Sequence, residues 1–205
     1  MEILNNQDFK KLNSEFNDTS KPFKYVVIDN FFKDSVIDRL HKDFPEVTDE
    51  RWIYTRPKFY GKPNIFEKKM YAISVPENLP KYWYEVIMNL NSKSFCEYTS
   101  RFTDVDGLLP DEHNDIGQWS GIRYMLKGSK QLIHSDARLH PHTKLEKKIT
   151  VVGYLNKEWN DEDDGCIEIW NNDLTECVDR ILPVYNRITL FENTDKSYHG
   201  VPIVN

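Results

Sequence analysis

The sequence predicts an α+β chain in which N-terminal helices support a mainly β core, built as a jelly-roll or a related double-sheet barrel. Two observations carry this. From Trp119 onward seven short β-rich runs succeed one another with turn residues between them and no helical segment. Before that point, apolar residues recur at helical spacing in four segments. At 205 residues the chain can bury one core without staples. The reading is therefore a single domain over 1–205, with 1–118 as mixed helix/strand support and 119–205 as the β core.

The elements follow in order. Asn5 to Phe16 places Phe9, Leu12 and Phe16 on one helical stripe. Lys24 to Asp29 is β-branched and predicts a strand. Asp34 is positioned to cap a helix through Phe44, with Val36, Ile37, Leu40 and Phe44 as its apolar face and Pro45 as its stop. Pro57 and Pro63 punctuate a loop-rich stretch. Helices are expected over about Pro80 to Leu90 and Ser94 to Phe102, the second opened by a Ser94-x-x-Glu97 capping box. Asp104 to Gln118 reads as a loop. The β runs are Ser120–Leu126, Gln131–Asp136, Lys148–Asn156, Cys166–Asn171, Cys177–Leu182, Arg187–Glu192 and Ser197–Val204.

Composition narrows the function classes. A formal charge of −6 argues against a dedicated nucleic-acid binder. No apolar run is long enough to span a membrane, and the polar N-terminus lacks the apolar segment of a signal peptide. Cys96, Cys166 and Cys177 show no metal-binding spacing and read as reduced, structural thiols of a cytoplasmic protein. A phosphate-cradling glycine loop and a G-x-S-x-G elbow are both lacking.

Histidine supplies the sharpest signal. His134 and Asp136 form an H-x-D pair at the end of a predicted strand. Period-2 geometry sends both side chains to one face, roughly 7 Å apart at their bases. His199, near the end of the last strand, is the candidate third ligand. Two imidazoles and a carboxylate on one face of an octahedron leave three positions open, as in non-haem Fe(II) oxygenases.

The context of this pair is more specific than the pair. Tyr124-x9-His134-Ser-Asp136, Lys148-Ile-Thr-Val-Val-Gly-Tyr154-Leu-Asn-Lys-Glu-Trp159, Gly165-Cys-Ile-Glu-Ile-Trp170, Asn186-Arg-Ile-Thr-Leu-Phe191 and His199-Gly-Val follow in this order. Together they resemble the 2-oxoglutarate/Fe(II)-dependent dioxygenases of prolyl-4-hydroxylase type, over about Gly121 to Val204. The YLNKEW segment is similar to its counterpart in the hydroxylases that act on the hypoxia-inducible factor. Pro22 to Phe31 is similar to the start of many bacterial and viral members.

The resemblance implies a double-stranded β-helix (jelly-roll, cupin-like), with iron held by His134, Asp136 and His199. It implies Fe(II), 2-oxoglutarate as cosubstrate and O₂, with ascorbate as an accessory reductant. Tyr124 and Tyr154 match tyrosines that point toward 2-oxoglutarate; read without the motif, they are ordinary strand residues packed in a β core. The implied reaction is hydroxylation of a C–H bond coupled to conversion of 2-oxoglutarate to succinate and CO₂. The substrate is open between a prolyl side chain in a peptide and a free amino acid, sugar or other small metabolite. A non-catalytic double-stranded β-helix that binds metal or ligand is the alternative. Oligomeric state is not readable from the sequence.

One family residue is not found. An Arg or Lys about ten positions after the distal histidine normally pairs with the far carboxylate of 2-oxoglutarate, and that position falls past Asn205. A buried carboxylate deprived of its cation costs about 3–5 kcal/mol. The expectation is a core cut short at its C-terminal strand. Lys148, on the face of Tyr154, is the first internal substitute, ahead of Lys147 and Arg138. His140 and His142, in a Pro-bearing loop, are expected to be solvent-exposed. Asp161 to Asp164 reads as a solvated turn, Gly165 as a tight bend at a strand entry, and Asn186 as a turn residue.

Overall fold

The computed structural model describes residues 2–54, 70–111, 120–140 and 143–205. His113, Trp119, His142, Pro57, Pro63 and parts of the two expected loops lie outside the described residues.

The helical support forms as its apolar stripes dictate. Helix α1 (Phe9–Phe16) starts at Asp8, whose carboxylate accepts from the amides of Lys10 and Lys11. Its buried Leu12 and Phe16 pack toward α4, with the Phe16 and Phe102 rings edge to face at 6.4 Å. Helix α2 (Asp34–Lys42) buries Val36, Ile37 and Leu40. Here the expected cap shifts: Lys33 occupies the cap position without a side-chain bond, and Asp34 sits in the first turn, where its charge still favours the helix dipole.

Helix α3 (Lys81–Leu90) begins after Pro80 and buries Trp83, whose indole donates to Leu40 O at 3.0 Å. Helix α4 (Lys93–Thr103) is capped by Ser92, which accepts from the Phe95 amide, and not by Ser94. Ser92 lies two residues beyond the end of α3, so a minimal turn joins the helices. Glu97, freed from any capping box, instead faces Lys93 across one helical turn. No described helix is long and apolar enough to cross a membrane.

Ten strands are described, each β run of the sequence reading containing one: β1 (Tyr25–Ile28), β2 (Ile53–Tyr54), β3 (Met70–Ile73), β4 (Ile122–Met125), β5 (Gln131–His134), β6 (Ile149–Gly153), β7 (Ile167–Trp170), β8 (Cys177–Ile181), β9 (Ile188–Glu192) and β10 (His199–Val201). They form three sheets, in the orders β1-β9-β6, β5-β10-β7-β8 and β2-β3-β4, with every paired strand antiparallel.

Alternation along β9 divides the interior. Ile188 and Leu190 face the helical cluster, whereas Phe191 joins Ile167, Ile169 and Ile181 in a second core between the sheets. The site is built against that second core. Strand β10 lies between β5 and β7, and its register sets His199 opposite His134 on one side and Ile169 on the other.

Two loop residues exceed their sequence reading. Asn186 adopts φ 59° and is 4% exposed. Its side chain accepts from Phe32 N and donates to Phe32 O, both at 2.8 Å, clamping the β1–α2 segment onto the start of β9. Gly165 takes φ +66°, and a Cβ there would stand 3.2 Å from both Trp159 and Val204, so lack of a side chain is required as well as the bend. Residues Asp161–Asp163 form a single 3₁₀ turn capped reciprocally by Asn160 and Asp163.

Candidate metal centre and cavity

Antiparallel pairing of β5 with β10 brings two imidazoles together from residues 65 positions apart in the chain (199 minus 134), with ring centroids 4.4 Å apart. Asp136 lies past the end of β5, so it reaches the same point from the following loop and not from the shared strand face that alternation predicts. Its Oδ1 stands 3.6 Å from His134 Nε2 and 3.8 Å from His199 Nε2. Ligand atoms of the three residues all lie within 4.8 Å of one another.

Neighbouring groups orient each ligand atom. His134 Nδ1 donates to Leu132 O at 2.8 Å and His199 Nδ1 to Ser197 O at 2.9 Å. Both rings therefore carry their proton on Nδ1 and turn an Nε2 lone pair to the common centre. Asp136 Oδ2 is occupied by Lys147 Nζ at 2.9 Å and Thr150 Oγ1 at 3.0 Å, leaving Oδ1 for that centre. Thr150 is itself held by Asn193.

Protonation states agree with this arrangement. Burial, with the second imidazole adjacent, pulls the His199 pKa down to about 4, so it is neutral at pH 7. Burial pushes the Asp136 carboxyl up, but contact with His134 and the charge of Lys147 outweigh it, holding the group far below the usual carboxylate range. Two imidazole nitrogens and one carboxylate form a donor set for a divalent ion, and Gln131 Nε2, 3.0 Å from His134 Nε2, already places a donor against one of them.

The cluster opens onto a cavity of about 1460 Å³ walled by both β and helical parts, with Asp136, His199, Tyr154 and Arg123 in its lining. Phe191 closes one side, its ring 4.7 Å from that of His199.

Residues 120–205 match the sequence profile of the 2OG-Fe(II) oxygenase superfamily. Over that stretch the β core is similar to 2OG-Fe(II) oxygenase domains. Solved structures with the same fold include a prolyl-4-hydroxylase from Pseudomonas putida, at TM-score 0.58 and 13% identity over 94% of this chain and 91% of that one. A Trichoplax adhaerens prolyl hydroxylase, in complex with a hypoxia-inducible factor oxygen degradation domain peptide fragment, aligns at TM-score 0.59 and 16% identity over 96% and 84%. A prolyl 4-hydroxylase from Phytophthora capsici aligns at 0.51 and 17% over 98% and 62%. No curated protein is a significant sequence match. The fold is accordingly the double-stranded β-helix, and the matched profile is that of 2OG-Fe(II) oxygenases.

The residues expected near the cosubstrate separate. Tyr154 lines the cavity with its hydroxyl fully buried beside that of Thr189, and neither makes a well-formed hydrogen bond with a described residue. Burial raises its pKa to about 12. A buried hydroxyl lacking a partner is costly in the free protein and suits an incoming carboxylate. Tyr124 stacks on Tyr71 at 4.9 Å and its hydroxyl donates to Val47 O at 3.2 Å, so its polar end is already used.

Lys148 is half exposed and bonded to Glu146. Arg138 bridges Glu146 and Asp195, and Lys147 holds Asp136. His140, expected in solvent, is largely covered, 3.4 Å from Asp111, with its Nδ1 accepting from Thr143 N. All three cysteines are free.

Register is a requirement of this site. A Cβ on Gly200 would meet Gln131 O at 3.0 Å and Ile133 N at 3.1 Å, both backbone atoms of β5. Gly200→Ala must push β10 away from β5 and carry His199 from His134. Mn(II) affinity is expected to fall about 10–100-fold, with about 1–3 kcal/mol lost in urea unfolding. Wild-type Mn(II) titration by the alanine variant would refute the close approach.

Proposed function

We propose that His134, Asp136 and His199 hold Fe(II), and that the protein hydroxylates an unactivated C–H bond, with a prolyl residue in a peptide as the first substrate to try. The observation that carries this reading is the convergence of two Nε2 lone pairs and one carboxylate oxygen at the mouth of a large cavity, each fixed from behind by a second hydrogen bond.

Iron(II) bound there supplies activation of O₂ and oxidative decarboxylation of 2-oxoglutarate to succinate and CO₂. The chain's own residues do the remaining work. Lys147 and Thr150 occupy one carboxylate oxygen of Asp136, leaving the other as the atom that would hold the ion. Phe191 and Ile169 keep the His199 side dry. Tyr154 offers a hydrogen bond to the acid group of the cosubstrate. The open cavity has room for a peptide segment beside 2-oxoglutarate. Residues 1–118 act with 119–205 as one domain, since β1 of the support completes the sheet of β6 and β9.

The test is succinate formation from 2-oxoglutarate by purified protein with Fe(II), with and without a proline-containing peptide panel and its proline-to-alanine controls. Expected results are iron-dependent succinate that rises with a proline peptide, and a peptide mass increase of one oxygen. Mn(II) and 2-oxoglutarate binding with no succinate under any peptide would favour a non-catalytic binding module.

A further inference from the structure

Strand β5 brings a second side chain to the cluster by breaking its own alternation. Gln131 and His134 stand three apart, and in a regular strand an odd spacing sends two side chains to opposite faces. Their pairing with β10 is not regular. His199 faces His134 and Val201 faces Gln131, so three residue steps on β5 oppose two on β10. The extra residue is a bulge, and it returns Gln131 to the side of His134. Gly200 lies against the bulge, where a Cβ would meet Ile133 N at 3.1 Å and Ile133 Cα at 3.3 Å. Ile133 is turned outward, 38% exposed. Regular pairing and the burial of an isoleucine are both lost where the carboxamide is brought in.

That carboxamide meets a ligand atom. Gln131 Nε2 stands 3.0 Å from His134 Nε2, the ring nitrogen left for the common centre once Nδ1 donates to Leu132 O. An amide nitrogen can only donate, so it holds the lone pair that an ion would need. Gln131 and an ion cannot both use it. The amide oxygen has no hydrogen-bond partner among the described residues, and Gln131 lines the cavity with Asp136 and His199. A carboxamide released there presents a donor and an acceptor beside three ligand atoms that lie within 4.8 Å of one another. Such a group suits an oxygen ligand, water or an acid head group, taken up at an open position of the ion.

We propose that Gln131 guards the metal centre: its carboxamide holds the His134 lone pair in the metal-free protein, yields it to the ion, and then holds an oxygen ligand bound at one of the ion's open positions. This rests on the reading of His134, Asp136 and His199 as the metal ligands. Gln131 acts through His134 and through the bound ligand, and is a positioning residue.

Calorimetry with Mn(II), and then with oxalate on the Mn(II)-loaded protein, tests both steps. Oxalate binds an ion through two oxygens and needs no other part of the cavity. The variants are Gln131→Met, which keeps the length of the side chain, and Gln131→Leu, which shortens it; neither carries an amide. A guard that must be displaced predicts tighter Mn(II) binding in both, by about 2- to 10-fold, the worth of one neutral hydrogen bond. Oxalate binding to the loaded variants is expected to weaken by about the same factor. A glutamine that only supports the His134 ring predicts the opposite sign for Mn(II), because a ligand that loses its outer partner binds the ion less well.

Mn(II) affinity equal to or below that of wild type in the variants overturns the proposal, and so does unchanged oxalate affinity. Wild-type protein that takes up no Mn(II) overturns the metal-site reading itself, and the guard with it. The two failures are therefore distinct: the first leaves a working metal site in wild type, the second leaves none.

Discussion

Asp136→Asn abolishes succinate formation and the stabilisation of the protein by divalent metal. The carboxylate is the one anionic group in the cluster among the described residues, and its Oδ1 stands within 4 Å of both Nε2 atoms. Replacing it with an amide of the same shape leaves two imidazoles and no anion in the cluster. Such a pair cannot offset the desolvation of a divalent ion inside a cavity. Loss of several kcal/mol of transition-state stabilisation corresponds to a fall on the order of 10³-fold or more in turnover.

Metal at about a hundred times its Kd stabilises a binding protein by about 2.7 kcal/mol. Wild type therefore gains that increment in urea unfolding with Mn(II), and Asp136→Asn gains none. The amide also leaves Lys147, whose side chain is 19% exposed, without its anion, so some stability is lost in the metal-free protein too. Unfolding with and without Mn(II) separates the two losses, since the first is a difference between curves and the second a shift of both. Unchanged Mn(II) stabilisation of a folded Asp136→Asn protein would remove Asp136 from the metal site.

The residues of this cluster were legible in the sequence because metal chemistry restricts them to few types and because β alternation makes spacing meaningful. His134 and Asp136 stand two apart and His199 sits in the last β run, which the motif order singles out. The groups that orient them were not legible. Leu132 O and Ser197 O are backbone carbonyls, which no residue type announces, and Thr150 and Lys147 meet Asp136 only through loop geometry.

Gln131 could not be placed from the sequence. Its odd spacing from His134 assigns it to the opposite face. The extra residue that turns it back is fixed by pairing with β10, which no local signal predicts. Among the helices, two serines at positions 92 and 94 competed for one cap, and the pattern with a glutamate three residues on was the more conspicuous. The actual cap was decided by how tightly α3 and α4 are joined, a tertiary matter.

Asn186 is the position where sequence said least and the structure asks most, and Asn186→Ala is expected to cost about 3–5 kcal/mol. The amide serves both backbone groups of Phe32, at 2.8 Å each, in a site 4% exposed. Alanine leaves a buried N–H and a buried C=O without partners, at about 1–3 kcal/mol apiece. It also holds a Cβ at φ 59°, a conformation asparagine tolerates better. Against a total stability of about 5–15 kcal/mol for a domain, this single change removes a large fraction.

The loss reaches the cavity, because the Asn186 amide donates to Tyr154 O and the Tyr154 amide to Arg187 O, fixing the strand end that aims the Tyr154 hydroxyl. Asn186→Gly separates the contributions: it relieves the left-handed backbone but still lacks the side-chain bonds. It should be less stable than wild type in urea unfolding, yet about 1 kcal/mol more stable than the alanine variant. An alanine variant within 1 kcal/mol of wild type would mean that water or a shifted backbone satisfies Phe32, and that the clamp between β1 and β9 is dispensable.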